Sequence, residues 1–307
     1  MPASLTPDLP ERLVALDDYL RRSESQIAGI RPGCEKIIVW HDDLRQQRDL
    51  AIVYFHGFSA SRMETWPLCN RLAESVGANL FYTRLTGHGQ EGHAMAQATA
   101  QDWQADGWEA IEIGRRLGRK VILVGLSTGG TLATWLAAQP SVAPSLHSLI
   151  LLSPNFMPKN PMAAAALWPP ALRMAENFFG GWRCFTVQNP LQAQYWTVRY
   201  PLRAIATMMQ MVHLAWRIDL KTIAVPVLMM LNPWDRVINV TLAAARFASF
   251  PSPRKKLVFF NKNRDLGRHV LAGEILSHGA TDDALAVIER FLIDRTATLI
   301  ATQSNRA

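Results

Sequence analysis

Cysteine is scarce in this chain of 307 residues, and its placement argues against two common roles. The three cysteines, Cys34, Cys69 and Cys184, lie far apart and include no Cys-x-x-Cys pair. An odd and scattered set favours neither a disulfide framework nor a zinc site. We therefore expect reduced cysteines that pack in the interior, and no bound metal.

Long apolar runs are also missing. No run reaches the roughly 18 residues that a membrane span needs, and the first residues, MPASLTPDLPERL, lack the basic and apolar regions of a signal peptide. These features predict a cytoplasmic protein. Hydrophobic residues make up 49% of the chain and charged residues 19%, which is typical of a globular domain and excludes a disordered chain.

Seven segments rich in β-branched and aromatic residues predict buried strands. They are EKIIVW from Glu35, LAIVYF from Leu50, ANLFYTRL from Ala78, VILVGL from Val121, HSLILLS from His147, VPVLMML from Val225 and KKLVFF from Lys255. Segments with helical spacing separate them, over residues 62–76, 101–117, 128–139, 240–249 and 282–295. Strands that alternate with helices indicate an α/β fold, with a mostly parallel sheet and helices on both faces.

One connection breaks this alternation. Residues 155–218, between HSLILLS and VPVLMML, contain no clear strand, and we interpret them as an inserted helical cap, or lid. Residues 35–154 and 219–297 then form the core. Residues 1–34 are predicted to be an N-terminal helical extension, and residues 298–307 a flexible tail.

The cap has a distinctive composition. It contains six of the eleven methionines and four of the ten tryptophans. It also holds one acid, Glu176, and these six basic residues: Lys159, Arg173, Arg183, Arg199, Arg203 and Arg217. Five of the seven excess positive charges therefore belong to the cap. Either the cap lines an apolar pocket and meets an anionic membrane transiently, or its apolar residues pack on the core and its charges only solubilise it. No motif predicts nucleic-acid binding.

The segment Gly125-Leu126-Ser127-Thr128-Gly129 follows the predicted strand VILV directly and precedes a helical stretch. Its pattern, Gly-x-Ser-x-Gly between strand and helix, is that of a nucleophile elbow. A sharp turn strains the serine backbone, and Gly125 and Gly129 let neighbouring backbone pass without a Cβ clash. The pattern predicts Ser127 as a nucleophile.

A serine hydroxyl needs a base, and the base needs an acid that orients it. With this elbow, the acid and the base follow the serine in that order along the chain. Asp235 follows the strand VPVLMML and is the candidate acid, whereas His269 lies in the loop after KKLVFF and is the candidate base. Three alternatives are Asp219, Asp265 and His278.

The segment His56-Gly57-Phe58 follows the predicted strand LAIVYF. At this position a backbone N–H can stabilise the oxyanion that forms during acyl transfer. We expect Phe58 N–H and Thr128 N–H to be the two donors. Gly57 permits the tight turn, and His56 supports the loop through hydrogen bonds.

Six segments, in order, resemble those of the monoacylglycerol-lipase-like and serine-aminopeptidase-like α/β-hydrolases: HGFSASRMETWPLCNRLA, YTRLTGHGQ, DWQADGWEAI, VGLSTGG, NPWDRVI and GRHVLAGE. The resemblance covers about residues 50–295. It implies the α/β-hydrolase fold with an eight-stranded sheet, a lid and no cofactor. It further implies a catalytic triad of Ser127, Asp235 and His269, with Phe58 and Thr128 as oxyanion donors.

The resemblance implies an ester hydrolase, and we expect a carboxylesterase that acts through an acyl-enzyme on Ser127. The apolar composition of the cap favours small, lipophilic carboxylic esters and a role in lipid metabolism. A lysophospholipase or monoacylglycerol lipase is the nearest alternative. An amidase or peptidase would use the same residues. A non-catalytic binding protein on this scaffold is a fourth hypothesis, but it has no need to retain elbow, acid and base together.

Overall fold

The computed structural model describes residues 8–304. Its helices are α1 (Leu16–Ser25), α2 (Leu68–Ser75), α3 (Gly92–Gln97), α4 (Ala100–Leu117), α5 (Thr128–Ala137), α6 (Pro169–Phe179), α7 (Pro190–Tyr195), α8 (Arg203–Arg217), α9 (Val240–Ala248) and α10 (Thr281–Ser304). Its strands are β1 (Ile37–Val39), β2 (Arg48–Phe55), β3 (Asn79–Tyr82), β4 (Gly118–Leu126), β5 (Leu146–Leu152), β6 (Trp182–Cys184), β7 (Arg199–Pro201), β8 (Val227–Leu231) and β9 (Lys255–Phe259).

The main sheet has seven strands in the order β1-β3-β2-β4-β5-β8-β9. All its neighbouring strands pair in parallel except β1 and β3, so the predicted mostly parallel α/β sheet is confirmed. The seven segments that were predicted as strands from their composition form these seven strands. The eight-stranded sheet that the family resemblance implied was wrong. Residues 13–25, before β1, form a 3₁₀ turn and α1 because Leu16 and Leu20 are buried at helical spacing.

Both faces of the sheet are covered, which explains why its strands read as continuous apolar runs. Val53 and Leu123 belong to one buried cluster, and the adjacent residues Tyr54 and Val124 belong to the other, on the opposite face.

The predicted helix over residues 62–76 is interrupted. Its first turn is a 3₁₀ turn, Arg62–Glu64, and α2 begins only after Pro67, since proline disfavours helical backbone at the residue before it.

Between β5 and β8 lie three helices, α6, α7 and α8, and the strands β6 and β7. The segment is mostly helical, as expected, but the sequence showed no clear strand there, whereas β6 and β7 pair antiparallel in a two-stranded sheet. Each strand has three residues, which is too short for an alternating pattern to show in the sequence. The interpretation of residues 155–218 as a cap stays a prediction.

The predicted tail, 298–307, overlaps α10 up to residue 304, and its last three residues lie outside the described residues.

Composition led to two further expectations. No helix within residues 8–304 is long and apolar enough to cross a membrane. All three cysteines are free, as expected, but only Cys34 and Cys69 are buried. Cys184 is exposed because it lies on the short strand β6, whose residues face solvent in part.

The N-terminal extension is fixed to the core by a buried ion pair. Arg84 donates from Nε and Nη2 to the two carboxylate oxygens of Glu24, each at 2.8 Å. The Arg84 and Glu24 side chains are only 3% and 7% exposed. Arg84 also donates to the carbonyl oxygen of His88, so α1 supports the loop over residues 84–89, which lies beside the site described below.

We predict that Glu24→Ala lowers the free energy of unfolding by about 3–5 kcal/mol, because it leaves the Arg84 guanidinium buried without a counter-charge. Urea denaturation followed by circular dichroism measures this change. The matched control is Asp18→Ala, which removes the exposed partner of Arg21 on the same helix and should cost less than about 1 kcal/mol. Equal effects of the two substitutions would contradict the stabilising role of the buried pair.

Candidate active site

Ser127 lies in the turn between β4 and α5, with a backbone conformation of φ 54° and ψ −119°. A side chain in this left-handed region is strained. The surrounding backbone holds it there: Ser127 N–H donates to the carbonyl oxygen of Leu152, and its own carbonyl oxygen accepts from Thr131 and Asn155. The residue is 6% exposed. These features are those of a nucleophile elbow.

The glycines on either side of Ser127 are required by close backbone contacts. A Cβ on Gly125 would lie 2.5 Å from the carbonyl oxygen of Gly129. A Cβ on Gly129 would lie 2.1 Å from the carbonyl oxygen of Phe55, the last residue of β2. Both distances are too short for any side chain, so the turn after β4 can press directly against the end of β2 only with glycine there.

Asp235 and His269, which are 34 positions apart, meet at this end of the sheet. The Nδ1 atom of His269 lies 2.7 Å from Oδ2 of Asp235, and an ionised carboxylate only accepts, so Nδ1 carries the proton. The other oxygen, Oδ1, accepts from the N–H groups of Val237 and Ile238 at 2.7 and 3.1 Å. The Asp235 side chain is therefore buried and fixed, and it sets the orientation of the imidazole.

The three alternative residues have other partners. Both carboxylate oxygens of Asp265 accept from the main-chain N–H of His269, at 3.1 and 2.9 Å, so this side chain positions the loop and not the imidazole ring. Asp219 accepts from the N–H of Lys221 in a 3₁₀ turn. His278 is exposed and bonds to Glu274. The geometry brings Asp235 alone of these acids to the ring.

The second ring nitrogen of His269, Nε2, is buried and has no hydrogen-bond partner within residues 8–304. The structure does not join it to Ser127 by a hydrogen bond. Burial lowers the pKa of His269, but the charge and hydrogen bond of Asp235, with the charges of Glu64 and Asp265, outweigh burial and raise that pKa. The surroundings of the ring thus favour its protonated form, as a base that accepts a proton requires.

The loop after β2 is held by His56. Its Nδ1 donates to the carbonyl oxygen of Gly57 at 2.9 Å, and its Nε2 accepts from Leu85 N–H at 3.1 Å. In a trans peptide the C=O and N–H point in opposite directions, so a fixed Gly57 carbonyl also fixes the direction of Phe58 N–H. Burial lowers the pKa of His56 to about 4, which keeps it neutral and suits support instead of proton transfer.

Phe58 N–H and Thr128 N–H are the two predicted oxyanion donors. In the described part of the chain neither has a hydrogen-bond acceptor. Thr128 is the first residue of α5, where backbone N–H groups point out of the helix and the helix dipole favours negative charge. Both groups can therefore donate to an incoming atom, and their assignment as oxyanion donors stays a prediction.

Sequence reasoning missed one buried acid close to these residues, Glu64. It accepts from Gly57 N–H at 2.7 Å and from the Tyr54 hydroxyl at 3.2 Å. Glu64 lies inside the segment HGFSASRMETWPLCNRLA, but no spacing rule marks a glutamate in a turn as buried. The sequence offers one signal for this contact: Glu64 stands only seven positions after Gly57, close enough for its side chain to fold back onto that loop.

Comparisons with known proteins agree with this geometry. The profile of the alpha/beta hydrolase family matches residues 52–288, and the chain belongs to that family. A search of curated protein sequences finds no match. The prediction of a hydrolase with this fold is therefore confirmed at the level of the family.

Several solved structures share the fold. One is a metagenome-derived lipolytic enzyme of the LipS and LipT pair, with TM-score 0.69 and 20% identity over 86% of this chain and 99% of that chain. A soluble variant of monoglyceride lipase from Saccharomyces cerevisiae has TM-score 0.61 and 14% identity, over 85% and 90% of the two chains. The monoacylglycerol lipase of Paleococcus ferrophilus has TM-score 0.55 and 17% identity, over 73% and 87%. Identities this low establish a common fold only.

We predict that Asp235→Asn lowers kcat for p-nitrophenyl butyrate by about 10³- to 10⁴-fold. The N–H groups of Val237 and Ile238 would hold the amide oxygen, so the amide NH2 group, which cannot accept, would face the ring. The loss of a negative charge also lowers the pKa of His269, so the acidic limb of kcat/KM should move to lower pH. Asp265→Asn is the matched control, since its remaining carbonyl oxygen can still accept from the His269 main chain. A larger loss of kcat in Asp265→Asn than in Asp235→Asn would contradict the assignment of Asp235 as the orienting acid.

Proposed function

We propose that this protein hydrolyses carboxylic esters through an acyl-enzyme on Ser127. The observation that carries the proposal is the 2.7 Å contact between Asp235 and His269, which orients the imidazole, together with the unpaired Nε2 atom of the same ring. A histidine that an acid orients, and whose other ring nitrogen is free, can activate a serine hydroxyl group. Every residue that the reaction needs comes from this chain, and the other reactant is water.

In the first half of the reaction, Ser127 Oγ attacks the ester carbonyl carbon while Nε2 of His269 takes the hydroxyl proton. The carbonyl oxygen gains a negative charge, which Phe58 N–H and Thr128 N–H stabilise. The tetrahedral intermediate then expels the alcohol, which takes the proton from Nε2, and Ser127 retains the acyl group. In the second half, water gives a proton to Nε2 of His269 and attacks the acyl carbon. The bond from that carbon to Ser127 Oγ then breaks, Oγ takes the proton back from Nε2, and the carboxylic acid leaves.

Two observations weigh against the other hypotheses. A non-catalytic binding protein would not need the strain at Ser127 or a buried, oriented imidazole. Amide cleavage would use the same residues, but two of the similar structures above are monoacylglycerol lipases, which favours esters. A substrate panel of p-nitrophenyl esters and aminoacyl anilides separates the two chemistries.

We predict that a fluorophosphonate probe labels wild-type protein at Ser127, and that Ser127→Ala lowers kcat at least roughly 10³-fold. Peptide mass spectrometry identifies the labelled residue. Ser153→Ala is the control, because Ser153 is also a buried serine at a strand end with positive φ but does not stand in an elbow pattern. Labelling that persists in Ser127→Ala would contradict the assignment of the nucleophile.

The segment between β5 and β8 has two kinds of apolar residue. On α8, Met208, Met209 and Met211 are buried and pack with the core. In and before α6, Trp168 and Phe178 are 63% and 79% exposed. Packing on the core thus accounts for the α8 methionines and not for the apolar side chains of α6.

We infer that the exposed part of this cap contacts a lipid surface. Met162 and Met174 are exposed together with Trp168 and Phe178. The cap's basic side chains are exposed as well, and Glu176, its one acid, pairs with Arg203. Apolar side chains surrounded by basic residues are typical of helices that lie in an anionic membrane interface. This supports lipophilic esters, among them monoacylglycerols and lysophospholipids, as the substrate class.

We predict that the double substitution Trp168→Ser and Phe178→Ser weakens binding to vesicles of phosphatidylcholine with phosphatidylglycerol by about 100-fold or more, since each buried aromatic contributes about 1.5–3 kcal/mol. Binding of the wild type should also fall between about 0.01 and about 1 M salt, where the Debye length shrinks from about 30 to about 3 Å. Vesicle co-sedimentation measures both effects.

The matched control is Leu44→Ser, which removes an apolar side chain that is 71% exposed but lies outside the cap. It should leave vesicle binding unchanged. If the double variant binds as tightly as the wild type, and salt has no effect, the cap does not contact lipid and its charges only solubilise the protein.

A further inference from the structure

Glu64 is a buried acid that the mechanism above does not use. It ends the 3₁₀ turn Arg62–Glu64 and is 3% exposed. The titratable groups that face its carboxyl group are Tyr54 from β2, and His269 and Asp265 from the loop after β9. Among the residues whose side chains the structure describes, no lysine or arginine forms an ion pair with it. A buried carboxyl group without a cation is costly, so its partners indicate what it does.

The first partner is the loop that carries Phe58. Gly57 N–H and the Tyr54 hydroxyl donate to the same oxygen, Oε2, at 2.7 and 3.2 Å. The carbonyl group of Gly57 accepts from His56, as described above. Gly57 is thus held on both sides, by Glu64 at its N–H and by His56 at its C=O, immediately before the N–H of Phe58.

The carboxyl group also lies close to the nucleophile. A Cβ on Gly57 would be 2.8 Å from Oε1 of Glu64 and 3.3 Å from Cβ of Ser127. The position where a Gly57 side chain would begin therefore lies in contact distance of both Glu64 and Ser127, and only glycine leaves it empty.

The third neighbour is the loop that carries His269. A Cβ on Gly273 would lie 2.5 Å from the carbonyl oxygen of Glu64, and Glu274 N–H donates to the carbonyl oxygen of Trp66 at 3.0 Å. The turn with Glu64 therefore packs against the segment after His269 and is hydrogen-bonded to it. It connects the two loops that carry the proposed oxyanion donor and the proposed base.

The charges of Glu64 and His269 are coupled. Burial raises the pKa of Glu64 to about 7, against the lowering effects of the Gly57 hydrogen bond, the His269 charge and the Tyr54 hydrogen bond, while Asp265 adds to the increase. In return, the negative charge of Glu64 helps to raise the pKa of His269, after the larger contribution of Asp235. A proton on the imidazole thus favours an ionised Glu64.

We propose that Glu64 is a positioning residue for the ester hydrolysis proposed above, with two separable effects. Its hydrogen bond to Gly57 holds Phe58 N–H toward the oxyanion, and its negative charge stabilises the imidazolium of His269. The first effect acts on the transition state and therefore on kcat, since the oxyanion does not exist in the bound substrate. The second effect acts on the pH at which His269 becomes a free base.

Two substitutions separate these effects. Glu64→Gln keeps a carbonyl oxygen for Gly57 N–H and removes the charge, so the acidic limb of kcat/KM and the pKa of His269 should both move to lower pH. Glu64→Leu removes the acceptor as well, and kcat should fall about 10- to 100-fold with little change in KM, because a small displacement of a catalytic group has effects of this size. Ring resonances of labelled histidine in NMR titrations report the pKa of His269 without any substrate.

Glu74→Gln, an exposed glutamate on α2, is the matched control and should change neither quantity. Active-site titration with a fluorophosphonate gives the rate per folded molecule, so partial unfolding cannot imitate the effect. Wild-type kcat and an unshifted His269 pKa in both Glu64 variants would overturn the proposal, as would a lower Tm with unchanged rate per active site. If wild-type protein hydrolyses no ester, the proposed function fails, and the NMR titration still tests the charge effect.

Discussion

The close contact between the turn after β4 and the end of β2 determines how the rest of the site is arranged. Phe55 of β2 is paired in register with Gly125 of β4, and Gly129 then passes directly beneath the carbonyl groups of Phe55 and His56. This approach places the first turn of α5 beside the loop with Phe58. The strained conformation of Ser127 follows from the same contact, because the chain must reverse from strand to helix within a few residues.

Three buried acids surround His269, and each has a different partner. Asp235 holds the ring, Asp265 holds the main chain of the same residue, and Glu64 holds the loop on the other side of the elbow. All three are 3% exposed. Since water is largely excluded there, their charges act strongly on one imidazole, and this explains how a buried histidine keeps a raised pKa.

The core of the site could be predicted from the sequence because its residues stand in local patterns. The elbow around Ser127 occupies five consecutive positions between a strand and a helix, and the loops with Asp235 and His269 each follow a strand of a parallel sheet, whose carboxyl ends meet at one edge. The partner of the ring was less certain from sequence, since Asp265 is nearer along the chain. The distance of 2.7 Å to Asp235 decides that question.

Other features depend on tertiary packing, which no local pattern reveals. Glu64 is buried between the loop after β2 and the segment after His269, which are distant in sequence, and β6 and β7 pair across a helix that separates them in sequence. The number of strands in the main sheet likewise could be read only in part from the sequence. The residues themselves indicated seven, and the eighth came from the resemblance to a family, whereas here the chain before β1 is helical.

Ester hydrolysis by the proposed route forms a covalent acyl group on Ser127, and rapid-quench mass spectrometry of the intact protein tests this directly. When excess p-nitrophenyl ester is mixed with the enzyme, one acyl mass should add to each protein molecule during the first turnover and map to the peptide with Ser127. The phenol should be released in a burst of matching size. Hydrolysis of the ester with no acyl group on Ser127 at any time, under conditions that trap such adducts in a known serine esterase, would contradict the account.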